Sequence, residues 1–137
     1  MHTLTRIRTA TCLIVLASAA TLSVPLTANA EGDAAAGEKV FAHCAPCHST
    51  KPGENKVGPS LAGVVGRKAG TAEGYNYSEA NKNSGLTWDA DTLKVYLKDP
   101  KAKVPGTKMA FPGLPNEADI DNVIAYLSTF GPDGKTK

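Results

Sequence analysis

The sequence predicts an all-α domain with long loops, and three observations carry that prediction. Apolar residues recur at helical spacing in Leu93-Tyr96-Leu97 and in Ile120-Val123-Ile124-Leu127. No segment alternates polar and apolar residues with period two, as a half-buried strand would. Between residues 49 and 74, Pro52, Gly53, Gly58, Pro59, Gly63, Gly66, Gly70 and Gly74 interrupt any regular element.

Taken in order, residues 1–30 read as an export leader rather than as part of the fold. Arg6 and Arg8 give a basic start, Cys12 to Leu22 a short apolar core, and Ala28-Asn29-Ala30 a small-residue cleavage site. The apolar core is too short to span a membrane comfortably, and a buried helix rarely ends in Ala-x-Ala. Cleavage after Ala30 would place the protein in the periplasm and leave residues 31–137 as one domain. Of the 137 residues, 107 then remain, with 13 basic against 13 acidic side chains, because the leader takes Arg6 and Arg8 and no acid. That balance excludes the dense basic face that nucleic-acid binding requires. No apolar run of about 20 residues follows the leader, so membrane insertion is not expected. Gly and Pro make up 21 of the 107 residues, and a small loop-rich domain has a poor core-to-surface ratio that a covalent staple would offset.

Asp33 suits an N-cap for a first helix over about 34–46, with Val40 and Phe41 as its large apolar residues. Gly37 inside that helix costs about 1 kcal/mol relative to Ala, which implies close approach of another backbone. A short helix is expected near 78–83 after Ser78, and a longer one over Asp89–Asp99, since Pro100 disfavours helical backbone at Asp99. Val104 to Pro115 reads as loop, with turns at Pro105-Gly106 and Pro112-Gly113. Asn116 caps the last helix, Glu117 and Asp119 occupy its first turn, and Gly131-Pro132 stops it.

Cys44-Ala45-Pro46-Cys47-His48 is a C-x-x-C-H sequence, the attachment signature of a c-type haem. Its spacing lets two thiols add to two vinyl groups while the adjacent imidazole reaches the iron. Three other readings compete. A redox dithiol of the thioredoxin kind expects a βαβ context, which is absent. A closed zinc site needs four ligands, and His43 beside Cys44 would strain the cage. A structural disulfide explains neither His48 nor the export. Outside the leader the chain holds a single methionine, Met109, in the polar turn Pro105-Gly106-Thr107-Lys108-Met109. A lone Met is usually core filler, but this loop position favours ligation. Two retained protein ligands would leave no open site for O2 or peroxide, which suits an electron carrier rather than an enzyme. A haem peroxidase or gas sensor in which Met109 dissociates is the enzyme-class alternative.

On these motifs, together with Gly58-Pro59-Ser60-Leu61, Gly74-Tyr75-Asn76-Tyr77, Ala80-Asn81-Lys82-Asn83 and PGTKMAFPGL at 105–114, the chain resembles a class I c-type cytochrome. The likeness is to the bacterial cytochrome c2 and mitochondrial-type group and covers residues 34–130. It implies a small helical fold with long loops around one covalent haem c, held by thioethers to Cys44 and Cys47, with His48 and Met109 on the iron. It further implies that the Pro59 carbonyl orients His48, and that Arg67, Tyr77 and Trp88 hold a buried propionate. Asn81, Tyr96 and Thr107 would order a polar network beside Met109, while Gly37 and Phe41 would pack against Val123 and Tyr126. Ordinary aromatic core packing is the simpler reading of Trp88 and Tyr96.

The implied function is one-electron shuttling by a monomer between membrane redox complexes: from a bc1-type complex to a photosynthetic reaction centre or a cytochrome oxidase. Lys56, Lys82, Lys101, Lys103 and Lys108 are the docking candidates, and His43 stands where many relatives carry a docking Lys. Residues 94–108 hold five Lys and one Asp, whereas Glu117, Asp119 and Asp121 are expected to cluster elsewhere, so a zero sum would hide a dipole.

Overall fold

The computed structural model describes residues 32–136, and the expected leader of residues 1–30 lies outside them. Regular structure among the described residues consists of five helices: α1 (Ala34–Phe41), α2 (Glu79–Lys82), α3 (Ala90–Lys98), α4 (Pro100–Lys103) and α5 (Glu117–Ser128). Two isolated antiparallel bridges, Lys68 to Thr87 and Phe130 to Thr136, tie loops together. No described helix is long and apolar enough to cross a membrane.

The framework is the crossing of α1 and α5. The Asp33 carboxylate accepts the Ala35 and Ala36 N–H groups at 2.8 and 3.1 Å, and its own N–H donates to Asn122 Oδ1 at 2.7 Å. A cap is thereby fastened to the partner helix. At Gly37 a Cβ would lie 1.9 Å from the Asn122 carbonyl oxygen, so the approach expected from the sequence is made against Asn122 and Tyr126. One turn on, the Phe41 and Tyr126 rings meet with centroids 5.3 Å apart.

The first helix is shorter than its sequence pattern predicts, ending at Phe41 rather than near residue 46. Ala42 and His43 donate to Lys39 and Val40, tightening the last turn, and residues 42–47 continue as successive turns. The structure also adds α4, for which the apolar pattern gave no separate element. Asp99, extended at φ −153°, ends α3 and caps α4 by accepting the Ala102 N–H at 3.0 Å, with Pro100 at the first helical position.

A second correction concerns charge. The acids of α5 do not lie apart from the basic run, because α3 packs on α5. Lys94 pairs with Asp121 at 2.8 Å and Lys98 with Glu117 at 3.0 Å. Two of the five lysines between 94 and 108 are thus locally neutralised. The core gathers Leu93, Tyr96 and Leu97 of α3, Ile120, Val123, Ile124 and Leu127 of α5, and Phe41, Val64, Trp88, Val104 and Leu114 between them.

Candidate cofactor site

The helices and the long loops do not close on one another. They surround a cavity of about 300 Å3. Leu93 and Leu97 of α3, Val123 and Leu127 of α5, and Leu61, Val64 and Phe111 from the loops give it mainly apolar walls. The turns after α1 bring Cys44, Cys47 and His48 to one wall, and the 105–114 segment brings Met109 to the lining as well. Pro59, Arg67, Tyr77, Asn81, Trp88, Tyr96 and Thr107 line the same space. Every cofactor-binding and metal-ligating residue named from the sequence therefore faces a single cavity.

His48 is held on two sides. Its Nδ1 lies 2.8 Å from the Pro59 carbonyl oxygen, which can only accept, so the proton sits on Nδ1 and Nε2 keeps its lone pair. Burial favours the neutral ring and lowers its pKa, the Pro59 bond opposes that, and Lys56 reinforces it. On its other side the ring packs on Gly58, where a Cβ would come within 2.2 Å of Cε1.

Met109 is fixed by donors. The Tyr96 hydroxyl donates to its Sδ at 3.4 Å, and its backbone N–H donates to Thr107 Oγ1 at 3.3 Å. Asn81 Nδ2 donates to the same Thr107 oxygen at 3.2 Å. Burial pushes the Tyr96 phenol upward, so it remains a donor at neutral pH.

Arg67 donates to the Ser60 and Ala62 carbonyl oxygens at 2.9 and 3.0 Å. None of the ion pairs among the described residues involves it, and burial presses on its charged form while Tyr77 opposes the shift. A half-buried guanidinium without a carboxylate partner calls for an anion from elsewhere. Tyr77 accepts the Ala72 N–H at 3.3 Å, and Trp88 stacks at a tilt on Tyr96 with centroids 4.6 Å apart.

The thiols separate the competing chemistries. Both are free, and burial with Cys47 alongside pushes Cys44 up to about 11. A redox dithiol needs the opposite shift, toward the thiolate. No group of three or more His, Cys, Asp and Glu among the described residues is arranged so that it could hold a metal ion as the four-ligand zinc reading requires. Two thiols, an oriented imidazole, a thioether, an anion-seeking guanidinium and apolar walls together fit a haem attached through both cysteines.

Of the lysines named as docking candidates, Lys108 lines the cavity, as does the 77% exposed Val57. Lys56 Nζ donates to the Ala45 carbonyl at 3.0 Å, and Lys82 pairs with Glu79 at 2.9 Å. Lys101 is exposed on α4, while Lys103 is half-buried in a shallow groove beside Ala80 and Leu86. Tyr75 lies in the Gly74-Tyr75-Asn76-Tyr77 motif but has no role assigned from the sequence; its hydroxyl donates to the Val57 carbonyl at 2.7 Å and its ring meets Tyr77 edge-on at 4.8 Å. Its sequence signal is its place in that motif, which carries no hint of the Val57 contact.

The family described as Cytochrome c matches residues 34–131. The chain is similar to cytochrome c2 of Rhodoblastus acidophilus, 66% identical over 104 residues that make up 75% of this chain and 97% of that one. It is also similar to a cytochrome c2 of Rhodoplanes tepidamans, 58% identical over 106 residues, 77% of this chain and 99% of the other. Among solved structures, cytochrome cH from Methylobacterium extorquens aligns with a TM-score of 0.68 at 60% identity, covering 72% of this chain and 99% of its own.

Proposed function

The chain belongs to the cytochrome c family, and on that premise we propose that it is an exported one-electron carrier whose covalent haem c is ligated by His48 and Met109. The observation that carries the reading is the single apolar cavity shared by both thiols, the imidazole and the thioether. When bound, the haem supplies a one-electron iron couple. Cys44 and Cys47 hold it as thioethers. His48 presents Nε2, with Pro59 raising its basicity through Nδ1. Met109 presents a soft, neutral sulfur that favours the ferrous state and raises the potential. Tyr96 donates to that sulfur and so anchors the side chain, which favours a carrier over a ligand-binding or peroxidase site. Arg67, Tyr77 and Trp88 supply donors for a buried propionate. Leu93, Leu97, Val123 and Leu127 exclude water, so a change of iron charge moves little solvent.

The partners we propose are a bc1-type donor and, as acceptor, a photosynthetic reaction centre or a terminal oxidase, met in the periplasm after removal of residues 1–30. The cytochromes c2 among its relatives support a carrier of this kind. A pyridine haemochrome spectrum of protein made with a working haem-attachment system tests the core of the reading. Bands of a doubly thioether-linked haem are expected, and a colourless protein refutes it. N-terminal sequencing of exported protein should begin at Glu31, and an intact Met1 rejects the leader.

A further inference from the structure

The residues after α5 form a closed turn that the electron-transfer reading leaves unused. Gly131 N–H donates to the Lys135 carbonyl and Gly134 N–H to the Gly131 carbonyl, both at 2.9 Å. The Asp133 carboxylate accepts the Lys135 N–H at 3.1 Å, and Phe130 bridges Thr136.

This turn sits on the loop that follows His48 and touches it near both ends. At Gly63 a Cβ would lie 2.7 Å from Pro132 Cα, and at Gly134 one would lie 2.4 Å from Pro52 Cδ. Both glycines also have positive φ, +61° and +71°, so each contact is made where a side chain is doubly excluded. The loop between has no regular structure of its own. Leu61 N–H donates to the Ser49 carbonyl at 2.8 Å, and Ser60 Oγ to the Lys51 carbonyl at 2.6 Å. Pro59, whose carbonyl takes the His48 Nδ1 proton, lies inside this closure. Segments with few packed neighbours open most readily, and here the outer packing comes from the terminal turn.

We propose that Pro132 and Gly134 are positioning residues, and that the terminal turn is a brace holding the 49–63 loop so that the Pro59 carbonyl stays on His48. The proposal rests on His48 being an iron ligand. A slack brace weakens the Nδ1–H bond, leaves the imidazole a poorer electron donor, and destabilises the ferric state relative to the ferrous one. The potential therefore rises.

The test uses haem-loaded protein in three variants: the chain ended after Gly131, Gly134→Ala, and Asp33→Ala as a stability control that removes the α1 cap and touches neither the terminal turn nor the 49–63 loop. Proton NMR of the unaltered protein first establishes histidine ligation from the hyperfine-shifted ring signals in the ferric state. Their absence rejects the ligand reading and leaves no basis for the brace. With those signals present, the shortened chain and Gly134→Ala should exchange the ferrous His48 Nδ1 proton about ten-fold faster, the factor that corresponds to about 1.4 kcal/mol less opening free energy. Both should show a higher potential, and Asp33→Ala should lower the melting temperature without moving either readout. Gly134→Ala decides alone if the shortened chain does not fold. Unchanged exchange and potential in Gly134→Ala overturn the brace, as does an equal change in Asp33→Ala.

Discussion

A methyl group at residue 58 would point into the face of His48, 2.2 Å from Cε1 and 2.6 Å from Nδ1. The backbone there is not in the left-handed region, so any cost of Gly58→Ala is steric and falls on the ring. Overpacking of this kind costs about 1–3 kcal/mol, and the ring can relieve it only by leaving the Pro59 carbonyl. Gly58→Ala should therefore lower the melting midpoint of the loaded protein and also shift its potential; a lower midpoint with an unchanged potential would show that the loop yields instead of the ring. Met109→Ala removes the sulfur that Tyr96 holds. The potential should fall, and added imidazole should bind more tightly than to the parent protein, where it must displace the sulfur; an unchanged potential rejects Met109 as a ligand. At this scale the chemically scarce residues were legible because Cys44, Cys47, His48 and Met109 have few alternative uses. The contacts of Tyr75 and Gly58 were not, although both residues sit in motifs that carry the resemblance, since a phenol donating to a carbonyl and a glycine facing a ring leave no mark of the partner along the chain.

Helix α1 sets a propensity against a contact. Ala is favoured over Gly in a helix by about 1 kcal/mol, so Gly37→Ala would stabilise an isolated α1. Against α5, however, the new Cβ would meet the Asn122 backbone at 1.9 Å, and backbone in a helix cannot rotate away as a side chain can. The contact outweighs the propensity, and Gly37→Ala should destabilise by about 1–3 kcal/mol in chemical denaturation. A gain in stability would mean that the crossing is looser than the geometry shows. Helix starts were the most readable features, because Asp33, Ser78, Asp89 and Asn116 each accept an N–H group of their own first turn. The end of α1 was not readable, since Ala42-His43-Cys44-Ala45 holds no Gly or Pro and the stop comes from tightened turns. The start of α4 was written in Asp99-Pro100, but a four-residue helix has no period to detect. Capping also has a pH signature. The Asp89 pKa is lowered below 3.8, chiefly by the backbone N–H of Thr92. Its carboxylate therefore supports α3 above that value, and the support is lost as pH falls through the lower, folded value. Asp89→Asn should flatten the acid limb of the melting-temperature curve below about pH 4; a limb of unchanged slope would place the acid sensitivity elsewhere.

Over the whole molecule, the near-zero charge sum is arranged by packing. On the α3–α5 side, Lys94 and Lys98 face Asp121 and Glu117, and the fields of these pairs cancel at short range. In the cavity lining Lys108 donates to the Asn76 carbonyl at 3.3 Å, without a carboxylate partner among the described ion pairs. Lys108 thus contributes a positive field on the cavity side. Steering by such a field raises association rates ten-fold or more at low salt, and it fades once the Debye length shrinks from about 30 Å at 0.01 M to about 3 Å at 1 M. Lys108→Glu should accordingly slow association with a membrane redox complex by about ten-fold at low ionic strength and by much less at high. Lys98→Glu makes the same change of formal charge but breaks an exposed pair, worth at most about 1 kcal/mol, at a residue outside the cavity lining. Its effect on association should be several-fold smaller under the same conditions. Stopped-flow rates for the two variants across a salt series compare them directly. Equal slowing by both would mean that net charge alone governs encounter, and that the cavity rim has no special part in docking.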